Sequence, residues 1–119
     1  MNIFISQKMA GFTDEQIMKR RQEIMDFCRK TFHEPCDFID SFTKSQDIVD
    51  GGRIAMLGDS ISKMSTADLV VFDEGWELSN GCNVERMVCA KYRIPVYDIG
   101  NPMNRIHKVM LDEDTIFWR

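Results

Sequence analysis

Three observations make this 119-residue chain an α/β protein with a doubly wound, mostly parallel sheet flanked by helices. Short apolar runs alternate along it with segments of helical periodicity. One of those runs, Leu69-Val70-Val71-Phe72, is apolar throughout, as expected of a strand buried on both faces. The resulting βαβαβαβα order closes through right-handed crossovers into a parallel sheet with helices on either side. The length suits one domain over residues 1–119, with interior for a single core.

The elements follow in order. Residues 2–6 read as a short inner strand, followed by a polar loop in which Gly11 can adopt backbone geometry closed to other residues. Thr13 with Gln16 three positions later forms a capping-box pattern. Beyond it Ile17, Ile24, Phe27 and Cys28 recur on one helical face, and Lys19, Arg20, Glu23 and Lys30 occupy much of the other. Pro35 marks a break before a weak strand at residues 37–40, and the polar stretch 41–52 reads as a loop, with or without a short helix. Ile54, Leu57, Ile61 and Met64 form the stripe of a second helix ending before Asp68, and the strand at residues 69–72 should be central. After the loop at residues 73–81 comes a third helix, residues 82–92, with Val84, Val88, Cys89 and Tyr92 toward the core. Pro95 is tolerated at the start of the strand that follows. Residues 101–114 allow a fourth helix, and residues 115–118 an edge strand or a docked apolar tail.

Composition excludes several classes of function. The chain is 44% hydrophobic and 29% charged, a globular balance rather than a disordered or fibrous one. With 15 basic and 19 acidic side chains the net charge is −4, which offers no broad attraction to a nucleic-acid polymer or an anionic membrane. A local phosphate site needs no basic surface, because one helix N-terminus supplies donors. Cys28, Cys36, Cys82 and Cys89 form no CxxC pair, and His33 and His107 lie in unrelated segments, so no metal is expected; the carboxylate chemistry considered below requires no cofactor either. The opening MNIFISQKMAG lacks the basic and apolar regions of a signal peptide or membrane anchor, which makes a reducing cytoplasm the expected compartment.

In a sheet of this kind ligands gather beyond the carboxyl ends of the strands, where the loop at residues 6–11 meets the loop at residues 73–81. Glu85, just inside the third helix, is expected to meet its free N–H groups and dipole, which would make it an ionised nucleophile or positioning base; the plain alternative is an acid improving the first turn. Asp59 lies off the apolar stripe of the second helix and either points toward a pocket or is solvated. Asp68 suits a cap, while Asp73 and Glu74 either bind a sugar hydroxyl or solvate their loop. Ser79, Asn80 and Gly81 can hold a phosphate or simply cap the helix. Trp76 can stack on a heterocycle or seal the core. Neither GxxxxGK nor GxGxxG occurs, which argues against a P-loop triphosphatase or a dinucleotide fold.

Taken together in order, FISQKMAG, LGDSISKMSTADLVVFDEGWELSNGCNVE and YRIPV resemble the nucleoside 2-deoxyribosyltransferase superfamily, in particular its small phage- and bacterial-type members of undefined function. The resemblance spans residues 2–98 and implies a flavodoxin-like fold that cleaves or exchanges the N-glycosidic bond of nucleosides or nucleoside 5′-monophosphates. It implies Glu85 as the nucleophile toward the sugar and Asp59 as the residue that orients or protonates the base. Ser79, six residues before the glutamate, would contact phosphate. Ser6 and Gly11 would line the ligand, with Gln7, Met9 and Lys8 beside them.

Two carboxylates can divide the labour of such a reaction, one meeting the developing sugar cation and the other assisting the leaving group. The expected activity is therefore a nucleoside deoxyribosyltransferase or nucleotide N-glycosidase, with Trp76, Asn80 and Gly81 also at the substrate. Two other readings stay open. One is a non-catalytic nucleotide-binding regulator; the other is a structural homo-oligomer in which the apolar Ile116-Phe117-Trp118 packs at an interface.

Overall fold

The computed structural model describes residues 1–42, 52–101 and 107–108. Strands β1 (Asn2–Ser6), β2 (Asp37–Phe38), β3 (Leu69–Phe72), β4 (Pro95–Asp98) and β5 (His107–Lys108) form one sheet in the order β2-β1-β3-β4-β5. The first four are parallel and β5 joins β4 antiparallel. Helices α1 (Asp14–Thr31), α2 (Gly52–Met64) and α3 (Asn80–Tyr92) make the crossovers. The parallel order β2-β1-β3-β4 is that of a flavodoxin-like fold, and its switch point falls between β1 and β3.

Alternation along the strands divides the core between two faces. Ile3, Ile5, Leu69, Val71 and Tyr97 pack on one face against Ile24, Cys28 and Phe32 from α1 and its C-cap. Phe4, Val70, Phe72 and Val96 pack on the other against Met64 of α2 and Cys89 of α3. All four residues of β3 are at most 1% exposed, so the continuous apolar run is indeed the central strand. Burying each such side chain contributes about 1.5–3 kcal/mol before chain entropy is counted.

The helix ends have local causes. At α1, Thr13 accepts from the Gln16 N–H at 3.1 Å while the Gln16 side chain accepts from the Thr13 N–H at 2.9 Å, completing the capping box. Asp14 and Glu15 occupy its first turn and Arg29 and Lys30 its last, each sign suited to that end of the helix dipole. At α3, Ser79 accepts from the Cys82 N–H at 3.3 Å. That helix stops at Arg93, which takes the left-handed conformation (φ 59°) and turns the chain into β4. Asp68 accepts from the Asn2 N–H at 2.7 Å and ties the start of β1 to the turn before β3.

Several expectations change. The stripe on α2 is largely uncovered: Met64 is buried, but Leu57 and Ile61 are half-buried and Ile54 is 84% exposed. Tyr92 faces solvent instead of the core, because the buried face of α3 is formed by Cys82, Glu85 and Cys89. Strand β5 lies within residues 101–114, where a helix was expected; the remainder of that stretch beyond residue 101, the tail at residues 115–118 and most of the loop at residues 41–52 lie outside the described residues. Among the described residues no helix is long and apolar enough to cross a membrane.

Thr13→Ala removes the N-cap acceptor of α1 and is expected to lower unfolding stability by about 1 kcal/mol, read as a lower urea midpoint at unchanged slope.

Candidate functional site

The strand alternation that divides the core also aims the last residue of β1. Ser6 shares a face with Phe4 and therefore points toward α3. Its hydroxyl donates to Glu85 Oε1 at 2.7 Å across the end of β1, and both residues are buried. Ser6 is paired in register with Phe72, and the Asp73 N–H donates to the Ser6 carbonyl at 2.9 Å, so the bond sits at the switch point between β1 and β3. Of the expected site residues, Ser6 and Glu85 are brought together by a side-chain hydrogen bond. Here Ser6 holds the carboxyl.

Glu85 does not occupy the helix terminus. Because α3 begins at Asn80 and is capped by Ser79, Glu85 falls in the second turn, past the free N–H groups and where the dipole has faded. Its electrostatics consequently differ from the expectation. Burial disfavours the anion and pushes the carboxyl up to about 7, while the Ser6 hydrogen bond and the positive charge of Arg21 pull the other way. Near neutrality the group is thus poised between acid and carboxylate. Cys82 and Cys89 share its face, and burial raises both thiols, Cys89 to about 12.

The loop after β1 is anchored by its own side chains. Gln7 is buried, donates to the Ile17 carbonyl at 3.2 Å and accepts from Arg21 at 3.5 Å. Arg21 also donates to the Ile39 carbonyl at 3.0 Å and to Ser41 Oγ at 2.9 Å, joining the segments after β1 and β2. Asp73, at the end of β3, receives a two-pronged contact from Arg20, with Nη2 to Oδ1 at 2.6 Å, and also caps the Glu74 N–H at 2.8 Å. Its carboxylate is therefore engaged with α1 and its own loop. The Arg20 contact favours the charged guanidinium.

On the other side of β3, Arg86 pairs with Asp98 through both carboxylate oxygens. Its guanidinium lies 4.8 Å from the centre of the Phe72 ring and 4.9 Å from that of Trp76. Trp76, in a 3₁₀ turn (Trp76–Leu78), sets its ring edge-on to Phe72 at 5.3 Å. Beside it opens a cleft of about 390 Å³ lined by Glu74, Trp76, Glu77, Asp98, Ile99 and Asn101, with Gly75 and Gly100 in its walls. Gly100 takes φ +87°, a conformation that favours glycine, and a Cβ there would also meet the Glu74 side chain. Trp76 both seals the sheet edge and faces this cleft. Glu85 is absent from the lining.

The other expected residues take varied places. Met9 is half-buried and its carbonyl accepts from the Phe12 N–H at 3.1 Å; Gly11 is exposed with φ +88°. Ser79 serves as the cap, Asn80 is exposed in the first turn, and Gly81 lies beneath Leu57 of α2. Asp59 is on α2 with its side chain 59% exposed, bound to Lys63 at 3.0 Å one turn on. No contact between Asp59 and Glu85 occurs among the described residues. Nor do three His, Cys, Asp or Glu side chains there gather to hold a metal ion. Arg21 was missed, although its spacing shows it: four residues after Ile17 and three before Ile24, it stands on the apolar stripe itself. Arg86, next to the expected nucleophile, carried no comparable signal.

Between about pH 4.5 and pH 7 unfolded Glu85 loses its proton while folded Glu85 keeps it, so stability falls as pH rises across that window and levels off above it. The loss from this one group is about 3 kcal/mol, taking 1.36 kcal/mol per pKa unit. Urea unfolding at a series of pH values is expected to show this slope in the native protein and a flatter one in Glu85→Gln.

Comparison of the chain with protein-family models, with curated proteins and with solved structures gives no match.

Proposed function

We propose that the protein cleaves or exchanges the N-glycosidic bond of a nucleoside or nucleoside 5′-monophosphate, with Glu85 as nucleophile. The observation that carries this reading is the buried Ser6–Glu85 pair at the carboxyl ends of β1 and β3, where α/β sheets of this order take their ligands. The resemblance of the three motifs to nucleoside 2-deoxyribosyltransferases supports the same residue.

The reaction needs few parts. A Glu85 oxygen forms a bond to the sugar C1′ as the C1′–N bond breaks, and the base leaves with the bonding electrons and takes up a proton. Water or a second base then attacks C1′ and releases the carboxylate, giving hydrolysis or transfer. Ser6 fixes the orientation of the carboxyl, so that attack starts from a set geometry. Burial matters too, since the anion is charged and the glycosyl ester is not. The same desolvation that makes Glu85 a weaker acid therefore favours the adduct over the resting carboxylate. Asp59, solvated and paired with Lys63, has the base-side role only if a bound nucleobase reaches α2.

One observation favours a second reading, a nucleotide-binding regulator that performs no chemistry. The cleft beside Trp76 excludes Glu85, so a base can lodge there without its sugar reaching the carboxyl. The two readings separate when purified protein is incubated with nucleosides and their 5′-monophosphates, with and without acceptor bases, and free or exchanged base is measured. The enzyme reading expects turnover that falls by roughly three orders of magnitude or more in Glu85→Gln while the fold persists. Saturable nucleotide binding without base release in the native protein supports the regulator instead, and undiminished turnover in Glu85→Gln removes Glu85 as nucleophile.

A further inference from the structure

We infer that Arg21 is a positioning residue for Glu85: its guanidinium ties the segments after β1 and β2 into one frame at the switch point and supplies a fixed positive charge to the buried carboxyl. This inference deepens the proposed function and rests on it for its catalytic meaning. Its structural content stands apart from any reaction.

The placement of Arg21 is costly. It stands on the buried stripe of α1 between Ile17 and Ile24 and is 4% exposed. An aliphatic side chain there would extend the stripe without the desolvation penalty of a cation, which amounts to several kcal/mol even in a relaxed protein. No carboxylate forms an ion pair with Arg21 among the described residues. Its hydrogen-bond partners are instead the Gln7 side-chain amide, the Ile39 carbonyl and the Ser41 hydroxyl. Its charge is therefore left to act at longer range, and among the described residues it acts on the carboxylates of Asp40 and Glu85. Asp40 is exposed, so water screens it; Glu85 is buried, so the field reaches it with less attenuation.

The frame is continuous. Gln7 accepts from Arg21 and follows Ser6 directly in the chain, and Ser6 donates to Glu85. Displacing the guanidinium thus disturbs both the loop that carries Ser6 and the charge that acts on the carboxyl. Among the described residues, the other groups near Glu85 are Ser6 from β1 and Cys82 and Cys89 from α3, with Asp73 of the β3 end near Cys82 and bound to Arg20. The hydroxyl does not titrate, burial raises both thiols, and the Asp73–Arg20 pair is retained in the Arg21 variants. Among the described residues Arg21 is the cation that acts on the Glu85 carboxyl.

The test follows the Glu85 carboxyl by ¹³C NMR in protein labelled at the glutamate side-chain carboxyl, assigned by its loss in Glu85→Gln. In the native protein the midpoint is expected at about 7. In Arg21→Gln it is expected to rise, whereas Arg21→Lys, which retains the charge, restores most of the native value. Ser41→Ala loses a hydrogen bond to Arg21 and keeps the cation; it should lower stability and leave the midpoint in place. If neither Arg21 variant folds, the native protein still decides, because the Arg21 Nε–H resonance should move with the midpoint of Glu85 and stop moving in Glu85→Gln. A midpoint unchanged in folded Arg21→Gln, or an Nε–H signal indifferent to the Glu85 titration, overturns the inference. None of these readouts needs a substrate, so they stand even if the protein releases no base. Where base release is found, the ionisation limb of its kcat/KM profile should follow the same order across the variants.

Discussion

The bond from Ser6 to Glu85 constrains the rest of the molecule because it places a carboxyl where a parallel sheet would otherwise place an apolar contact. A sheet covered by helices on both faces gains its stability from uninterrupted apolar packing, as β3 illustrates. Near the end of β1 that packing is given up for a hydroxyl and an acid, which satisfy one another but leave the acid desolvated. Such a group is least costly when neutral, and a neutral carboxyl beside a hydroxyl would suffice for structure. What structure alone does not require is a buried cation within electrostatic reach, and Arg21 is one.

Around this pair the charged side chains hold the ends of the strands together. Arg20 reaches from α1 to Asp73 after β3, Arg86 reaches from α3 to Asp98 at the end of β4, and Arg21 joins the loops after β1 and β2. Each contact lies at the carboxyl edge of the sheet. The two partly exposed pairs are worth little singly, because water and side-chain entropy offset most of their Coulomb energy. Their forked geometry nevertheless fixes direction, and Arg86 is further confined by the Phe72 and Trp76 rings. The edge that carries the acid is thus the edge at which these three arginines make their contacts.

What was legible in the sequence follows from how far each signal depends on its neighbours. The apolar run at residues 69–72 and the Thr13 capping box are local, and both appear as read. Pro95 opens β4 for the same reason. Helix faces are less secure, since periodicity defines a stripe without saying what covers it: α2 has the stripe and leaves Ile54 in solvent. On α3 Val88 and Cys89 turn to the core as read, but Tyr92 does not, and the buried stripe carries a glutamate between two cysteines. The two-residue difference in where α3 begins altered the chemistry as well, moving Glu85 from the helix terminus into its second turn. Arg21 lay in plain periodic register but was passed over because a charged residue on an apolar stripe reads as an interruption, when it is instead the polar centre of that face.

The proposed chemistry turns on an opposition inside this site. A nucleophile must be ionised, and the burial of Glu85 works against ionisation; yet a well-solvated carboxylate would hold its water and attack poorly. A group whose acid and anion coexist near neutrality lies between those failures, provided that something nearby keeps the anion attainable without binding its oxygens outright. A direct salt bridge would occupy the attacking oxygen. A cation held off by hydrogen bonds to a carbonyl, a hydroxyl and an amide lowers the cost of the charge and leaves the carboxyl oxygens to Ser6 and to whatever enters the site, which is the arrangement that Arg21 and Glu85 adopt.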